Sequence, residues 1–324
     1  MEEIKEKIEQ SHFLINSIKN EVAKELVGQT KLVDSLLTGL LTGGHILIEG
    51  VPGLAKTSAV KAFSAAVKAD FKRIQFTPDL LPADIIGTEI YRPKTGDFVT
   101  RKGPLFNNII LADEINRAPS KVQAALLEAM QEQQVTIGDE TFNLPSPFLV
   151  LATQNPIEQE GTYQLPEAQV DRFMLKVLVD YPERTQELEI LKNSAFKATD
   201  TIVPVLEPEK LNEMTNLIDK IYMDDKLKEY IVDIVTATRD PEKFNMDISN
   251  YIEFGASPRA TIFLAKVARV KAFLSGRAYI TPQDIKIIAP DVLRHRIILS
   301  FEAEAEDITT DEIIKTVFDS VEVP

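Results

Sequence analysis

Apolar residues in the first 180 positions fall into short runs separated by stretches with helical or turn character, such as SKVQAALLEAMQEQ. Five of these runs have the length and composition of buried strands: HILIEG, FKRIQF, NNIILAD, FLVLATQ and FMLKVLV. Apolar strands that alternate with helices are typical of a parallel sheet with helices on both faces. The pattern therefore predicts an α/β fold for this part of the chain.

Two helices are expected before the first strand, because apolar residues recur at helical spacing from Ile4 to Leu26 and again in KLVDSLLTGLL, which stops at Gly43-Gly44. Two insertions between the strands have the pattern of hairpins. GTEIYRPKTGDFVTRKG has a turn at Lys94-Thr95-Gly96, and QVTIGDETFNLP has a turn at Gly138-Asp139. We expect both hairpins to reach beyond the sheet and its helices.

The alternation ends near Tyr181-Pro182, and the rest of the chain has mostly helical periodicity. The helical segments are ERTQELEILKNSAF, KLKEYIVDIVTATRD, SPRATIFLAKVARVKAFL, TPQDIKIIAPDVLRHRI and TDEIIKTVFDSV. We therefore predict two domains, an α/β domain over residues 1–182 that carries both hairpins and a helical domain over residues 183–324.

Composition narrows the class of protein. The 324 residues include 50 acidic and 36 basic ones, and the formal net charge of −14 disfavours non-specific binding of nucleic acid. The chain has no cysteine, and three scattered histidines (His12, His45 and His295) do not form a metal site. MEEIKEK lacks the apolar stretch of a secretory signal, and no apolar run is long enough to span a membrane. We expect a soluble, cytoplasmic protein.

The stretch GVPGLAKT follows the strand HILIEG and precedes the helical segment SAVKAFSAAVKA, which is the order of a phosphate-binding loop. In such a loop the backbone N–H groups and the positive end of the helix face the phosphates. Lys56 is expected to add a cation near the outer phosphates, and Thr57 to place its hydroxyl on Mg²⁺. The predicted nucleotide-binding residues here are Gly50, Val51, Pro52, Gly53, Leu54, Ala55, Lys56, Thr57 and Ser58.

Alanine stands at position 55, where the pattern G-x-x-x-x-G-K-[ST] has its second glycine. Because position 55 directly precedes the lysine and begins the helix, we expect right-handed helical backbone angles there. A Cβ atom would then carry no conformational penalty. Gly50 and Gly53, at the turn positions that more often need glycine, are both present. We therefore expect the loop to tolerate Ala55.

Two further apolar strands end in polar groups. NNIILAD leads into Asp113 and Glu114, and parallel sheets bind ligands at the carboxyl ends of their strands. Asp113 is expected to hold Mg²⁺ through coordinated waters, and Glu114 to orient or deprotonate the attacking water. FLVLATQNP ends in Asn155, which could hydrogen-bond the γ-phosphate or the water, with Gln154 as the alternative.

Two arginines stand out further along the chain, and the position of one, Arg259, suggests contact with an anion. Arg172 directly precedes the last predicted strand of the sheet, in QLPEAQVDRFMLKV. Arg259 lies at the start of a helix in GASPRATIFL, with Ser257 as the expected N-cap and Pro258 at the first helical position. A cation is unfavourable at the positive end of a helix, so an anion partner, either a ligand or a nearby carboxylate, is expected for Arg259.

Taken in order, GVPGLAKT, ILADEINRA, VLATQNP, LPEAQVDRF and GASPRA, with the two hairpins between them, resemble the MoxR family of AAA+ ATPases. The resemblance covers most of the chain. It implies a P-loop NTPase core, with a parallel sheet between helices, followed by a small all-helical lid domain. It also implies ATP and Mg²⁺ as cofactors, and a ring of subunits, commonly six, with ATP at each interface.

The resemblance assigns roles to individual residues. It makes residues 50–57 the Walker A loop, Asp113 and Glu114 the Walker B pair, and Asn155 the first sensor. The family also uses GVPG-x-AKT itself, so Ala55 is no departure from the family pattern. The first hairpin resembles the helix-2 insert, and the second resembles the hairpin that precedes the first sensor.

Further roles concern the subunit interface and the binding of the adenine base. The resemblance makes Arg172 the arginine finger that reaches a neighbouring subunit, although Arg117 in the INRA turn is an alternative. It makes Arg259 the second sensor, and it places the adenine near Val27 and Gly28. An arginine supplied by a neighbour neutralises charge that develops in the transition state, so hydrolysis would depend on assembly.

These expectations combine into a chaperone-like ATPase that remodels, activates or assembles partner proteins. Members of the family often act beside proteins with a von Willebrand factor A domain. Two alternatives stay open. A helicase-type motor stimulated by nucleic acid is favoured by Arg92, Lys94, Arg101 and Lys102 in the first hairpin but opposed by the net charge of −14. An ATP-gated scaffold without catalysis is opposed by Glu114.

Overall fold

The computed structural model describes residues 2–26, 28–51, 53–155, 162–196 and 201–324. The chain forms two compact units. One, which we call the sheet unit, comprises residues 16–173 and 177–208. The other, the helical unit, comprises residues 1–15, 174–176 and 209–324. The functional division at residue 182 stays a prediction.

Five strands form one sheet in the order β2-β5-β8-β1-β9, and the pairs β2–β5, β5–β8 and β8–β1 are parallel. The predicted α/β fold is therefore confirmed. Each of the five apolar runs contains one of these strands. The strands of the chain are β1 Ile46–Glu49, β2 Phe71–Gln75, β3 Gly87–Arg92, β4 Asp97–Lys102, β5 Ile109–Asp113, β6 Gln134–Ile137, β7 Glu140–Asn143, β8 Leu149–Gln154, β9 Leu175–Leu178, β10 Ile252–Phe254 and β11 Ile298–Leu299.

The α-helices of the described residues include those predicted from periodicity, together with shorter ones. They are α1 Glu2–Ala23, α2 Thr30–Thr42, α3 Lys56–Ala66, α4 Pro82–Ile86, α5 Ser120–Glu132, α6 Glu167–Val170, α7 Arg184–Phe196, α8 Pro208–Ile218, α9 Asp225–Ala237, α10 Pro258–Leu274, α11 Pro282–Leu293, α12 Phe301–Ala305 and α13 Thr310–Ser320. No helix among the described residues is both long and apolar enough to cross a membrane.

Buried apolar residues explain why β5 and β8 lie inside the sheet. Every residue of β5 except Asp113 is buried, as is every residue of β8 except Gln154. Strand β2, at the edge, has the burial pattern of a half-exposed strand, because only Ile74 is buried. The polar residues at the ends of β5 and β8 therefore emerge together at one edge of an apolar core.

His45 connects α5 to β8 inside the sheet unit. Its Nδ1 accepts a hydrogen bond from the backbone N–H of Val150 (3.0 Å), and its Nε2 lies 3.1 Å from the carbonyl oxygen of Met130. The first bond requires an unprotonated Nδ1, so Nε2 carries the proton and donates to Met130. Burial lowers the pKa of His45 to about 4. The ring is a neutral structural group.

Both predicted hairpins are present, as the antiparallel pairs β3–β4 and β6–β7. The turn glycines Gly96 and Gly138 have φ values of 75° and 60°, as hairpin turns require. Lys102, at the end of β4, places its ammonium 4.7 Å from the ring centre of Phe106 and 5.1 Å from that of Phe142 on β7. A cation over two aromatic faces is held in place, so Lys102 contributes to packing between the hairpins.

The helical unit is also organised around capped helices. Ser257 accepts a hydrogen bond from the backbone N–H of Arg259, and Pro258 occupies the first turn, which confirms the predicted start of α10. At the start of α11, the buried Asp284 accepts hydrogen bonds from Arg277 and from the backbone N–H of Thr281. A short antiparallel pair, β10–β11, completes this unit.

Candidate functional site

The loop between β1 and α3 requires glycine at two positions for different reasons. A Cβ atom on Gly50 would lie 2.6 Å from the carbonyl oxygen of Val179, so only glycine fits there. Gly53 has open space around it but a φ of +89°, a conformation that side chains rarely adopt. The chain therefore turns tightly here and directs the start of α3 towards the carboxyl ends of β1 and β8.

The structure corrects the expectation for Ala55. Its φ and ψ are 53° and 21°, which is the left-handed region, whereas we expected right-handed helical angles. The helix begins at Lys56, and Ala55 is its N-cap, whose carbonyl oxygen accepts a hydrogen bond from the N–H of Ala59 (2.9 Å). Position 55 therefore lies just outside the helix. The loop must reverse direction there, which explains why glycine is the usual residue.

A cavity of about 500 Å³ opens over this loop at the carboxyl ends of the strands. Its walls bring together most of the predicted site residues with two, Arg73 and Thr153, that were not predicted. The lining residues are Gly50, Gly53, Leu54, Ala55, Lys56, Thr57, Ser58, Arg73, Asp113, Glu114, Thr153, Gln154 and Asn155. Gln154 and Asn155 both line it, so the choice between these two side chains stays open.

Lys56 reaches back over its own loop. Its Nζ donates a hydrogen bond to the carbonyl oxygen of Gly50 (2.6 Å). Burial lowers the pKa of the Lys56 ammonium, while the negative charges of Asp113 and Glu114 act in the opposite direction. A partly desolvated ammonium is a favourable partner for a polyanion, since phosphates would restore the interactions that water no longer provides.

Asp113 receives hydrogen bonds on both carboxylate oxygens. The hydroxyl of Thr153, on the neighbouring strand β8, donates to Oδ1 (2.6 Å). Arg73, on the edge strand β2, donates to Oδ2 from Nε (3.0 Å) and from Nη2 (2.6 Å). These hydrogen bonds fix the orientation of the carboxylate at the end of β5.

Glu114 has a backbone conformation that is unusual for its residue type. Its φ and ψ are 57° and 51°, and its N–H donates to the hydroxyl of Thr153 (2.8 Å). Its Oε2 accepts a hydrogen bond from Gln75 Nε2 (2.7 Å) and lies 3.2 Å from the Nε of Arg117. Left-handed conformations of non-glycine residues concentrate at functional sites, where the surrounding contacts maintain them.

The turn that follows Glu114 is anchored from the protein interior. Gln123 on α5 is fully buried, and its Nε2 donates to the carbonyl oxygens of Ile115 (3.2 Å) and Tyr163 (3.0 Å). The backbone N–H of Tyr163 donates in turn to Asn116 (2.6 Å). These bonds fix the short 3-10 turn Ile115–Arg117, and with it the backbone position from which the Arg117 side chain extends.

Several predicted residues are not among those that line the cavity. Arg172 belongs to the sheet unit, and its buried Nε has no hydrogen-bond partner among the described residues. Arg259 belongs to the helical unit, at the first turn of α10. Gly28 has a φ of +80° and packs against the side chain of Gln186. Val51 is described but does not line the cavity, and Val27 and Pro52 lie outside the described residues.

Sequence reasoning missed Arg73, Gln75 and Thr153, which hold the two acids. In FKRIQF, Arg73 and Gln75 are two positions apart and therefore share a face of β2, a signal that is readable from the sequence. The sequence does not show which acids Arg73 and Gln75 contact. The pairing of Gln75 with Asp113 follows from the order of the strands, since β2 lies beside β5 and not beside β1.

The donor set fits a magnesium ion bound together with a nucleotide. Asp113 and Thr57 both line the cavity and offer a carboxylate and a hydroxyl, and Mg²⁺ prefers oxygen ligands. Within the described ranges, no group of three or more His, Cys, Asp or Glu residues could hold a metal ion. Magnesium usually binds through one or two protein ligands, with phosphates and waters supplying the others.

Comparison with known proteins gives two matches to family models. Residues 45–175 match the model described as ATPase family associated with various cellular activities (AAA), and residues 245–317 match the model described as AAA lid domain. The first match contains the phosphate-binding loop, both acids and Arg172. The second contains Arg259.

Individual relatives match over almost the whole chain. The chain is similar to a protein named Chaperone MoxR1 from Mycobacterium tuberculosis, with 48% identity over 94% of this chain and 81% of the relative. It is similar to a protein named YeaC from Bacillus subtilis, with 43% identity over 98% of this chain and 97% of the relative. A solved crystal structure of a protein from Cytophaga hutchinsonii shares 50% identity, with a TM-score of 0.93, and the match covers 98% of this chain and 97% of that one.

Proposed function

The chain belongs to the MoxR family of AAA+ ATPases, and from this premise we propose that it hydrolyses ATP, with magnesium, at interfaces between its own subunits to remodel, activate or assemble partner proteins. Membership of the family makes it a nucleotide-binding ATPase in general terms. The single observation that carries the finer proposal is the cavity in which the loop of Lys56 and Thr57 lies opposite Asp113 and Glu114.

The loop between β1 and α3 binds the phosphates. Its backbone N–H groups and the start of α3 provide positive partial charge, and Lys56 adds a full charge. Thr57 and Asp113 would hold magnesium, which supplies charge neutralisation at the phosphates when it is bound. Asp113 suits this role because the hydroxyl of Thr153 donates to its Oδ1 and orients its carboxylate at the end of β5.

Glu114 is proposed as the group that orients the attacking water and accepts its proton. Gln75 and Arg117 both contact its Oε2, so the carboxylate is held at the cavity wall. A general base must lie within hydrogen-bond reach of the proton that it removes, and the position of this carboxylate in the same cavity as the phosphate-binding loop supports the role. Asn155, or Gln154 beside it, would hydrogen-bond the γ-phosphate or the water from the end of β8.

Arg172 is proposed as the arginine finger for a neighbouring subunit. Two observations favour it over Arg117. Arg172 does not line the cavity of its own sheet unit, and its Nε has no hydrogen-bond partner among the described residues. Arg117 instead forms an ion pair with Glu114 of its own chain (3.2 Å). Arg259 is proposed as the second sensor, and Val27 and Gly28 as the adenine contact.

Partners follow from the family. One relative carries the printed name Chaperone MoxR1, and we propose protein clients for this chain on that basis. A ring of six subunits and clients with a von Willebrand factor A domain are further parts of the proposal. A helicase-type motor is less well supported, because Lys102, one of its four expected basic residues, packs over two aromatic rings. The expected cytoplasmic location stays a prediction.

Replacing Glu114 with glutamine tests the catalytic part of the proposal. Glu114→Gln keeps the shape of the side chain but removes the base, so we expect ATP turnover to fall at least about 100-fold while ATP affinity changes by less than about threefold. Turnover is measured by phosphate release, and affinity by titration with a fluorescent ATP analogue.

Two controls accompany this variant. Glu140→Gln, on the exposed strand β7, should leave both quantities unchanged. Lys56→Ala should weaken ATP binding itself. Turnover by Glu114→Gln at the wild-type rate would refute the role of Glu114. A wild-type chain that binds ATP without turnover under every assembly condition would instead favour the scaffold.

A further inference from the structure

Arg73 forms an ion pair with Asp113, the acid that is expected to hold magnesium. It donates two hydrogen bonds to Oδ2 of Asp113, from Nε at 3.0 Å and from Nη2 at 2.6 Å. The same Nη2 also donates to Oε1 of Gln75 (2.8 Å). The Arg73 side chain is 48% exposed and the Asp113 side chain 16% exposed, so the ion pair lies at the open mouth of the cavity.

The position of Arg73 follows from the sheet. Strand β2 is the edge strand beside β5, with Arg73 opposite Leu111 and Gln75 opposite Asp113. The backbone of Arg73 therefore lies level with a residue two positions before Asp113, and a long side chain is needed to reach Asp113 from there. Gln75, on the same face, accepts from Arg73 and donates to Glu114, which steadies the guanidinium.

This contact places a positive charge beside the carboxylate that would hold magnesium. Two cations beside one carboxylate repel each other, and the guanidinium also occupies one side of that carboxylate. We propose that Arg73 is a counter-ion that competes with magnesium for Asp113, and that it thereby sets the magnesium concentration needed for tight nucleotide binding.

This inference rests on the proposed function, because it concerns the same site. It differs from a purely structural role, since an ion pair that is half exposed on one side contributes little to the stability of the fold. It also differs from a role as a phosphate ligand. A phosphate ligand would strengthen nucleotide binding with or without magnesium, whereas a competitor of magnesium acts only when magnesium is present.

The test is a magnesium titration of nucleotide binding. Binding of a fluorescent, non-hydrolysable ATP analogue is measured in EDTA and then at rising Mg²⁺ concentration, for the wild-type chain and for Arg73→Gln. We expect the half-maximal magnesium concentration to fall about tenfold in the variant, while affinity in EDTA changes by less than about twofold. Arg73→Lys, which keeps the charge but not the two-pronged contact, should give an intermediate value.

Lys72→Gln serves as the matched control, since Lys72 is exposed on the same strand but lies on its other face. It should leave the magnesium midpoint unchanged. An unchanged or higher midpoint in both Arg73 variants would overturn the inference, as would an equal loss of affinity with and without magnesium. Failure of the wild-type chain to bind the analogue at all would overturn the proposed function, and this inference with it.

Discussion

At the scale of single residues, the clearest finding concerns backbone conformation. Ala55 and Glu114 both have positive φ values, 53° and 57°, and both line the cavity. For an alanine, this conformation costs about 1 kcal/mol or more, because Cβ approaches the following carbonyl oxygen. The loop therefore retains Ala55 at a cost in conformational energy, and the alanine is not neutral as the sequence suggested.

Ala55→Gly should stabilise the protein. Glycine removes the left-handed strain but gains flexibility in the unfolded state, so we expect a net increase of about 0.5–1 kcal/mol in the free energy of unfolding. The measurement is urea denaturation followed by circular dichroism. The matched control is Ala65→Gly, an exposed alanine inside α3, which should lose about 1 kcal/mol. A loss of stability in both variants would contradict the strain at position 55.

The residues of the site also differ in whether the sequence pattern predicts them. The loop, Asp113 and Glu114 were found because each directly follows an apolar strand, so their places depend on local sequence alone. Arg73 and Thr153 act on Asp113 from strands that are 40 residues away in each direction. Which strands are neighbours depends on packing of the whole sheet, and the sequence pattern does not contain that order.

At the scale of elements, His45 shows how one side chain fixes a helix to a strand. It joins the end of α5 to β8 through Met130 and Val150, and its ring packs against Phe148 at 5.8 Å. A protonated ring could not accept from Val150, so this bond requires the neutral form, while the donation to Met130 would persist in either form. The helix that carries Gln123 and the strand that carries Thr153 are therefore held together by a titratable group.

Stability should depend on pH through His45. The pKa is about 4 in the folded chain and near 6.5 when unfolded, so the unfolded chain binds more protons between these values. His45 contributes to the free energy of unfolding in full above pH 6.5. This contribution, about 3 kcal/mol, is lost as the pH falls to 4. Unfolding free energies of the wild-type chain and His45→Asn should therefore converge as the pH falls over this range.

Carboxylates also titrate in this window, but they contribute equally to both proteins and cancel in the difference. The His12→Gln variant shows whether any histidine substitution would give the same result. A difference between wild type and His45→Asn that stays constant from pH 7 to pH 4 would mean that His45 is not held neutral.

Most elements could be predicted, because their patterns are local. All five strands and both hairpins lie where alternation and turn residues indicated. Helix α8 was not predicted. Its residues include Lys210, Glu213 and Met214, and it packs with Lys7, Gln10 and Leu14 of α1 around a second cavity. That contact joins segments two hundred residues apart in the helical unit, which periodicity alone does not reveal.

At the scale of the whole molecule, the proposal requires more than one copy of the chain. The cavity contains a phosphate-binding loop and both acids, yet Arg172 does not line it. An arginine that stabilises transition-state charge is worth several orders of magnitude in rate, so a chain without this contact should hydrolyse ATP slowly. Turnover should therefore rise with protein concentration.

Mixing two inactive variants tests this dependence on assembly. Lys56→Ala chains cannot bind ATP well but offer an intact Arg172, and Arg172→Ala chains bind ATP but lack the finger. We expect phosphate release by the mixture to exceed the sum of the separate proteins at the same total concentration. A parallel mixture with Arg117→Ala should show no recovery, because Arg117 contacts Glu114 of its own chain. Recovery with Arg117→Ala alone would transfer the role to that residue.

The hydroxyl of Thr153 joins the two acids at the ends of neighbouring strands. It accepts from the backbone N–H of Glu114 and donates to the carboxylate of Asp113, so one rotatable group sits in the middle of a chain of hydrogen bonds with a single polarity. A change in the Thr153 rotamer would break both hydrogen bonds together. One side chain at the end of β8 thus ties the orientation of one acid to the backbone conformation of the other.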